Sequence, residues 1–180
     1  PNPGWFASTG GPALLQPAAA SEEEERPEEA LDPLAEARQR LWQSGQRTLR
    51  AIDPANPQVE SLHGPDWVPT QADLDTLHTT IRNAEVRRVT DRLVQNGVLI
   101  GTKGSGPGVQ LLPGGLPAAE RLFDYLRVGG LLYRRYGSKL TVIELPGRAG
   151  YVTFRPTSKS GPPGVDVNLI DHFYVKFHFL

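Results

Sequence analysis

The segment Phe173-Tyr-Val-Lys-Phe-His-Phe179 alternates apolar and polar residues without a break, and an extended strand sorts such a run into one apolar and one polar face. Three shorter candidates precede it: Leu140–Leu145, Tyr151–Arg155 and Val165–Leu169, each bounded by Gly, Pro or Asp. Connections this short join antiparallel neighbours, so the chain is expected to end in a four-stranded antiparallel sheet. With helices upstream packing on one face of that sheet, the fold class is α+β.

Alternation also divides the residues between faces. Phe173, Val175, Phe177 and Phe179 go to the core and leave Tyr174, Lys176 and His178 opposite. Val152 and Phe154 point inward, with Tyr151, Thr153 and Arg155 outward, and the same division exposes Asp166 and Asn168. One open face therefore gathers Arg155, Lys176, His178 and Tyr174, together with a carboxylate.

Upstream, Asp32 as N-cap and Pro33 at the first helical position open a helix of about 20 residues ending at Asp53-Pro54. Its apolar positions are read as Leu34, Ala37, Leu41, Gly45, Thr48 and Ile52. The stretch 54–69 is an ordered connection packed by Trp67. Thr70 caps a second helix, with Asp73 in its first turn, apolar positions from Leu74 to Leu93, and Asn96-Gly97 as its end. Residues 101–115 read as a Gly-rich connector, because Lys103 and Ser105 lack the spacing of a phosphate-binding loop. Residues 117–128 fit a short helix with Leu122, Phe123 and Leu126 inward, stopped by Gly129-Gly130. Residues 1–31 mix Gly, Pro and Ala with the acidic run Glu22–Glu25 and Glu28-Glu29, a composition that buries little and repels itself. The expected division is a flexible acidic linker at 1–31, a helical region at 32–95 and an α+β domain at 96–180.

Composition removes several chemistries. Without cysteine there are no disulfides, no thiolate catalysis and no Cys-ligated zinc. Without methionine the chain is expected to be a piece of a longer protein. No apolar run approaches the roughly 20 residues that span a bilayer, and the N-terminus lacks the basic-then-apolar order of a signal peptide. Charge is divided: residues 1–95 hold 9 Lys/Arg against 15 Asp/Glu, whereas residues 96–180 hold 10 against 5. A basic half attracts a phosphate backbone.

The turn after Arg155 sharpens this. Arg155-Pro-Thr-Ser-Lys-Ser-Gly161 places two cations and three hydroxyls in one turn, a concentration of phosphate-binding groups. Histidine is the side chain suited to proton transfer near neutral pH, and the basic half has two, His172 beside Asp171 and His178 on the open face. Two histidines without a carboxylate cluster make a weak metal site, so metal-independent chemistry with no cofactor is expected.

Gly64-Pro-Asp-Trp-Val-Pro-Thr70, Leu122-Phe-Asp-Tyr-Leu-Arg-Val-Gly-Gly130 and the run from Phe154 to Asn168 resemble the C-terminal regions of bacterial polymorphic toxins, including the Rhs-repeat-associated type. The resemblance covers roughly residues 35–180. It implies a helical pre-toxin region, a toxin domain, a larger delivery scaffold in cis, and a secreted or injected effector acting in the target-cell cytoplasm. It also implies a cognate immunity protein, whose surface is expected to be acidic to meet the basic half.

Helices followed by an antiparallel sheet resemble the barnase, EndoU, colicin E5 and RelE group of metal-independent ribonucleases, and Asp171-His-Phe-Tyr174 is similar to the turn carrying barnase's catalytic histidine. This implies RNA as substrate, cleaved by attack of the ribose 2′-hydroxyl on the adjacent phosphate. Arg155 with Lys159 or Lys176 would hold the phosphate, His178 or His172 would move the proton, and Ser158 or Ser160 would donate hydrogen bonds, with Thr157 and Tyr174 completing the substrate contacts. The pattern asks for a glutamate base beside an arginine. Glu144 and Arg155 are nearest, but Glu144 shares the parity of Leu140 and Val142, which leaves the base open. Two other readings stand beside this one. Tyr133-Arg134 and Thr157-Ser-Lys-Ser160 suit an NAD-using toxin, although residues 96–180 hold no Glu-x-Glu pair to support it. The sheet face also suits a non-enzymatic binding or translocation module.

Overall fold

Helix α1 (Pro33–Ile52) packs against helix α2 (Gln71–Leu93) through a narrow apolar seam. The computed structural model describes residues 32–57, 63, 66–157 and 161–180, so the segment 1–31, the Gly64-Pro65 pair and the turn residues Ser158, Lys159 and Ser160 lie outside the described residues. Pro33–Leu180 make up one compact unit.

The span of α1 agrees with its sequence signals, but its inward face does not. Ala35, Gln46, Leu49 and Ile52 are buried, whereas Leu34 and Leu41 are about three-fifths exposed. Its main neighbour is α2, so the helix needs only a thin stripe rather than a broad apolar face. Trp42 extends this seam and meets Trp67 edge-on at 4.9 Å, while Gln39 Nε2 donates to the Trp67 carbonyl at 3.1 Å. Trp67 therefore packs its connection, as its position suggests.

Helix α2 starts with a reciprocal capping box. The Asp73 N–H donates to Thr70 Oγ1 at 3.1 Å, and the Thr70 N–H donates to Asp73 Oδ2 at 2.8 Å. The helix ends at Leu93, before Asn96-Gly97. That pair instead turns a small hairpin, β1 (Val94–Gln95) to β2 (Val98–Leu99), with φ of 53° and 78°, as a type I′ turn requires.

The main sheet has seven strands rather than four. Within the Gly-rich stretch lie β3 (Thr102–Lys103) and β4 (Val109–Leu112), followed by α3 (Gly115–Leu126) and by β5 (Leu131–Tyr136). The expected strands follow as β6 (Leu140–Glu144), β7 (Gly150–Arg155), β8 (Gly164–Leu169) and β9 (Phe173–Phe179). Their spatial order is β3-β4-β9-β8-β7-β6-β5, all antiparallel except the β4–β9 pair. The coarse class is α+β with a mostly antiparallel sheet, and one helix falls between strands instead of all helices preceding them. Strand β4 escapes local reading because its ladder partner is distant: Lys176 donates to the Gly108 carbonyl and Leu180 to that of Leu112, each at 2.8 Å. Strand β5 escapes because it is an edge strand exposed along its whole length, so it has no alternation to display.

On one face of the sheet, Val152, Val165, Val167, Val175 and Phe177 have no exposed surface and pack with Leu122, Phe123 and Leu126 of α3. Val89 and Leu93 bring the end of α2 into the same core. Phe123 stacks on Phe154 with ring centroids 5.0 Å apart. The inward residues of β7, β8 and β9 are those assigned by alternation, because a period of two cannot be obeyed on only one side.

Candidate functional site

The opposite face can be read as three rows of laterally paired residues running across β7, β8 and β9. The first is Arg155, Gly164, His178; the second Thr153, Asp166, Lys176; the third Tyr151, Asn168, Tyr174. Neighbouring rows on one face stand about 7 Å apart, and neighbouring strands about 4.8 Å. Gly164 contributes no side chain and is itself buried, so Arg155 and His178 stand in one row with about 10 Å between their backbones. A Cβ placed on Gly164 would meet the Phe177 carbonyl oxygen at 3.3 Å and His178 Cδ2 at 3.8 Å, so the imidazole stands directly beside this position.

Asp166 departs from expectation. Alternation puts it on this face correctly, but it is only 4% exposed instead of lying open to solvent. Strands on both sides hem it in, and Arg155 leans diagonally across to pair with it through Nη1 and Oδ2. Its other oxygen, Oδ1, is buried with no hydrogen-bond partner among the described residues. An unsatisfied buried acceptor costs about 1–3 kcal/mol, and more when it is charged. Arg155 remains 38% exposed, leaving guanidinium donors for a second acceptor.

A shallow basin of about 370 Å³ opens over this carboxylate, within the range of small-ligand sites. Arg155, Thr153 and Asp166 line one end, and Tyr151, Asn168 and Tyr174 the other. Tyr133 joins from β5, because the register shift between Leu132 and Arg134 inserts an extra residue there and turns the phenol over the face. Its ring lies 5.1 Å from that of Tyr151. The Lys176 ammonium stands 5.7 Å from the centre of the Tyr174 ring, and Tyr174 lines the basin.

The structure thus brings Arg155, Lys176, His178 and Tyr174 onto one face. Thr157 is exposed two residues beyond β7, at the Arg155 end. His172 is not brought to them: it occupies the turn before β9, six residues and about 20 Å of extended strand from His178. Glu144 falls in the Tyr151 row, two rows from Arg155, so the carboxylate beside the arginine is Asp166. Tyr133, named in advance only with Arg134 for the NAD reading, reaches this face through the bulge; the residues given no site role in advance are Thr153, Tyr151 and Asn168, whose outward parity was legible. Among the described residues no group of three or more His, Asp or Glu is placed to hold a metal ion, and no helix is long and apolar enough to cross a membrane.

Behind the sheet a buried ion pair fixes the supporting helix. Arg88 donates through Nε and Nη2 to both Glu85 oxygens, at 3.0 and 2.6 Å, and through Nη1 and Nη2 to the carbonyls of Tyr125 and Leu126, at 2.8 and 2.9 Å. The guanidinium thereby closes the C-terminus of α3. Burial pushes the Glu85 carboxyl above the ordinary glutamate range, opposed by its hydrogen bonds and charge attraction to Arg88. At the start of α2, the backbone and hydroxyl of Thr70 hold Asp73 below the ordinary aspartate range.

Compared with protein-family models, with curated proteins and with solved structures, the chain matches none of them.

Proposed function

We propose that the open sheet face is the active site of a metal-independent endoribonuclease, and that the chain is the effector end of a larger delivered toxin acting in the target-cell cytoplasm. The observation that carries this reading is the placing of Arg155 and His178 in one row on either side of Gly164, with the half-satisfied Asp166 carboxylate in the next row. A scissile phosphate seated beside Arg155, over the row of Asp166 and Lys176, would receive the free donors of Arg155, with Lys176 adding charge. Asp166 takes the proton of the ribose 2′-hydroxyl through Oδ2, which Arg155 uncovers as it moves onto the phosphate, while the hydroxyl oxygen attacks phosphorus. Protonated His178 gives its proton to the 5′-oxygen as the P–O5′ bond breaks. The products are a 2′,3′-cyclic phosphate and a 5′-hydroxyl, and no electron acceptor or cofactor enters the balance. Each acid–base group contributes about 10²–10⁴-fold, and the cations stabilise the phosphorane.

The test is incubation of the full chain with total bacterial RNA in EDTA, beside the Arg155→Ala/His178→Ala double variant and Asp166→Asn. Cleavage by the parent leaving cyclic-phosphate ends, reduced at least about 10²-fold in either variant, supports the reading. Intact RNA with folded parent protein overturns it. The position of Tyr133 in the same basin favours one second reading, a dinucleotide stacked on the tyrosines with its diphosphate on Arg155. Consumption of NAD with RNA left whole would select it. In either case a cognate inhibitor with an acidic surface is the proposed partner, because Arg155, Lys176 and Arg134 give the face its charge.

A further inference from the structure

The third row of the open face has a chemistry of its own. Across β7, β8 and β9, Asn168 lies between Tyr151 and Tyr174, with Tyr133 beside Tyr151. Asn168 is exposed one residue before the end of β8, and Tyr133 and Tyr174 are each about half exposed, although large rings are ordinarily placed where they are covered. Three rings around one carboxamide, in a basin that continues to Arg155 and Asp166, combine a stacking surface with one donor and one acceptor held side by side.

We propose that this row is a base-recognition subsite that selects an unpaired adenine next to the scissile phosphate, with Asn168 as the specificity-determining residue; the inference rests on the ribonuclease reading of the same face. Tyrosine faces stack any base, so they supply affinity without choice. Choice comes from the carboxamide, whose acceptor and donor match the 6-amino group and N7 of adenine in a two-point contact that guanine, with acceptors at both O6 and N7, does not offer. Single-stranded RNA offers such edges freely, because its bases can be splayed from their neighbours. The spacing suits this assignment: the Asn168 row is about 7 Å from the Asp166–Lys176 row, so a base on the one leaves its own phosphate near the other. An aspartate at 168 would present two acceptors and no donor. That arrangement rejects the adenine ring nitrogen and accepts the two adjacent N–H groups of guanine.

The experiment uses the full chain and four short oligoribonucleotides that differ only in the central base. A second set carries a 2′-deoxy substitution at the central nucleotide, which removes the attacking hydroxyl so that binding is measured apart from cleavage. The parent is expected to bind the adenine member about 5- to 150-fold more tightly than the guanine member, the range of one two-point contact. Asn168→Asp is expected to reverse the order, and Tyr174→Ala to weaken all four together. Circular dichroism confirms that each variant is folded. Equal binding of all four, or an unchanged order in Asn168→Asp, overturns the proposal, and cleavage of the all-ribose set without base preference does so while leaving the ribonuclease reading standing. Adenine-selective binding reversed by Asn168→Asp, with no cleavage of any member, sustains the base subsite and removes the ribonuclease.

Discussion

The two faces of the central strands are built from alternate residues of the same segments, yet they follow opposite rules. On the helix-backed face, Val152, Val165, Val167, Val175 and Phe177 lose all exposed surface, and the side chains are interchangeable in kind: apolar, branched or aromatic, sized to fill. On the other face the chemistry changes from row to row. Arg155, Gly164 and His178 make one row, Thr153, Asp166 and Lys176 the next. Solubility alone would leave such a face wet and its charges in water. Here a carboxylate is buried with an unpartnered oxygen, an arrangement that lowers stability. The contrast teaches that packing accounts for one side of the sheet and not for the other, and locally unfavourable groups of this kind are where a functional site is sought.

The neighbours Phe177 and His178 give this contrast its sharpest test. Phe177→Ala is expected to destabilise the protein by about 3–5 kcal/mol, read from the denaturant midpoint. His178→Ala is expected to leave that midpoint nearly in place while RNA cleavage falls about 10²–10⁴-fold. If both variants lose stability alike, the two faces are not separate in role.

The next largest effect lies behind the core face. Arg88→Ala leaves Glu85 buried without its counter-charge and frees the last carbonyls of α3, for a loss of about 3–5 kcal/mol in thermal or denaturant unfolding. Replacing both Arg88 and Glu85 by apolar residues of similar volume should recover most of it. Glu85 also gives the molecule a pH signature. Its folded carboxyl titrates above the ordinary value of 4.5, so the native state binds that proton more tightly than the unfolded chain does. The resulting stability is fully present below about pH 4.5 and is lost as pH rises through the folded value. Melting curves taken across that interval should be flatter in Glu85→Gln. Asp73 acts in the opposite sense and in a separate window: its contribution is present above 3.8 and is lost as pH falls through its lowered folded value.

The smallest effect sets the scale for the others, at a residue belonging to neither face. Thr70→Ala breaks the capping box and is expected to cost about 1 kcal/mol, with cleavage unchanged. A loss of cleavage there would mean that α2 reaches the open face through the core.

The local signals in the sequence carried a good deal. The start and length of α1, the Thr70 cap, the inward residues of α3 and the four C-terminal strands follow from patterns that span a few residues. So does the assignment of Arg155, Lys176, His178 and Tyr174 to one face, because side-chain alternation is a property of the extended backbone itself. Other features had no local cause. Strand β4 exists because β9, more than sixty residues later, offers it a ladder, and β5 closes the far edge without needing an apolar face. The inward stripe of α1 depends on which neighbour it meets. The burial of Asp166, the row of Arg155, Gly164 and His178, and the arrival of Tyr133 depend on which residues stand opposite one another across strands. The sequence by itself determined which side of each strand a residue faces; only the tertiary structure decided which residues share a row, because lateral register is a relation between strands and no single strand contains it.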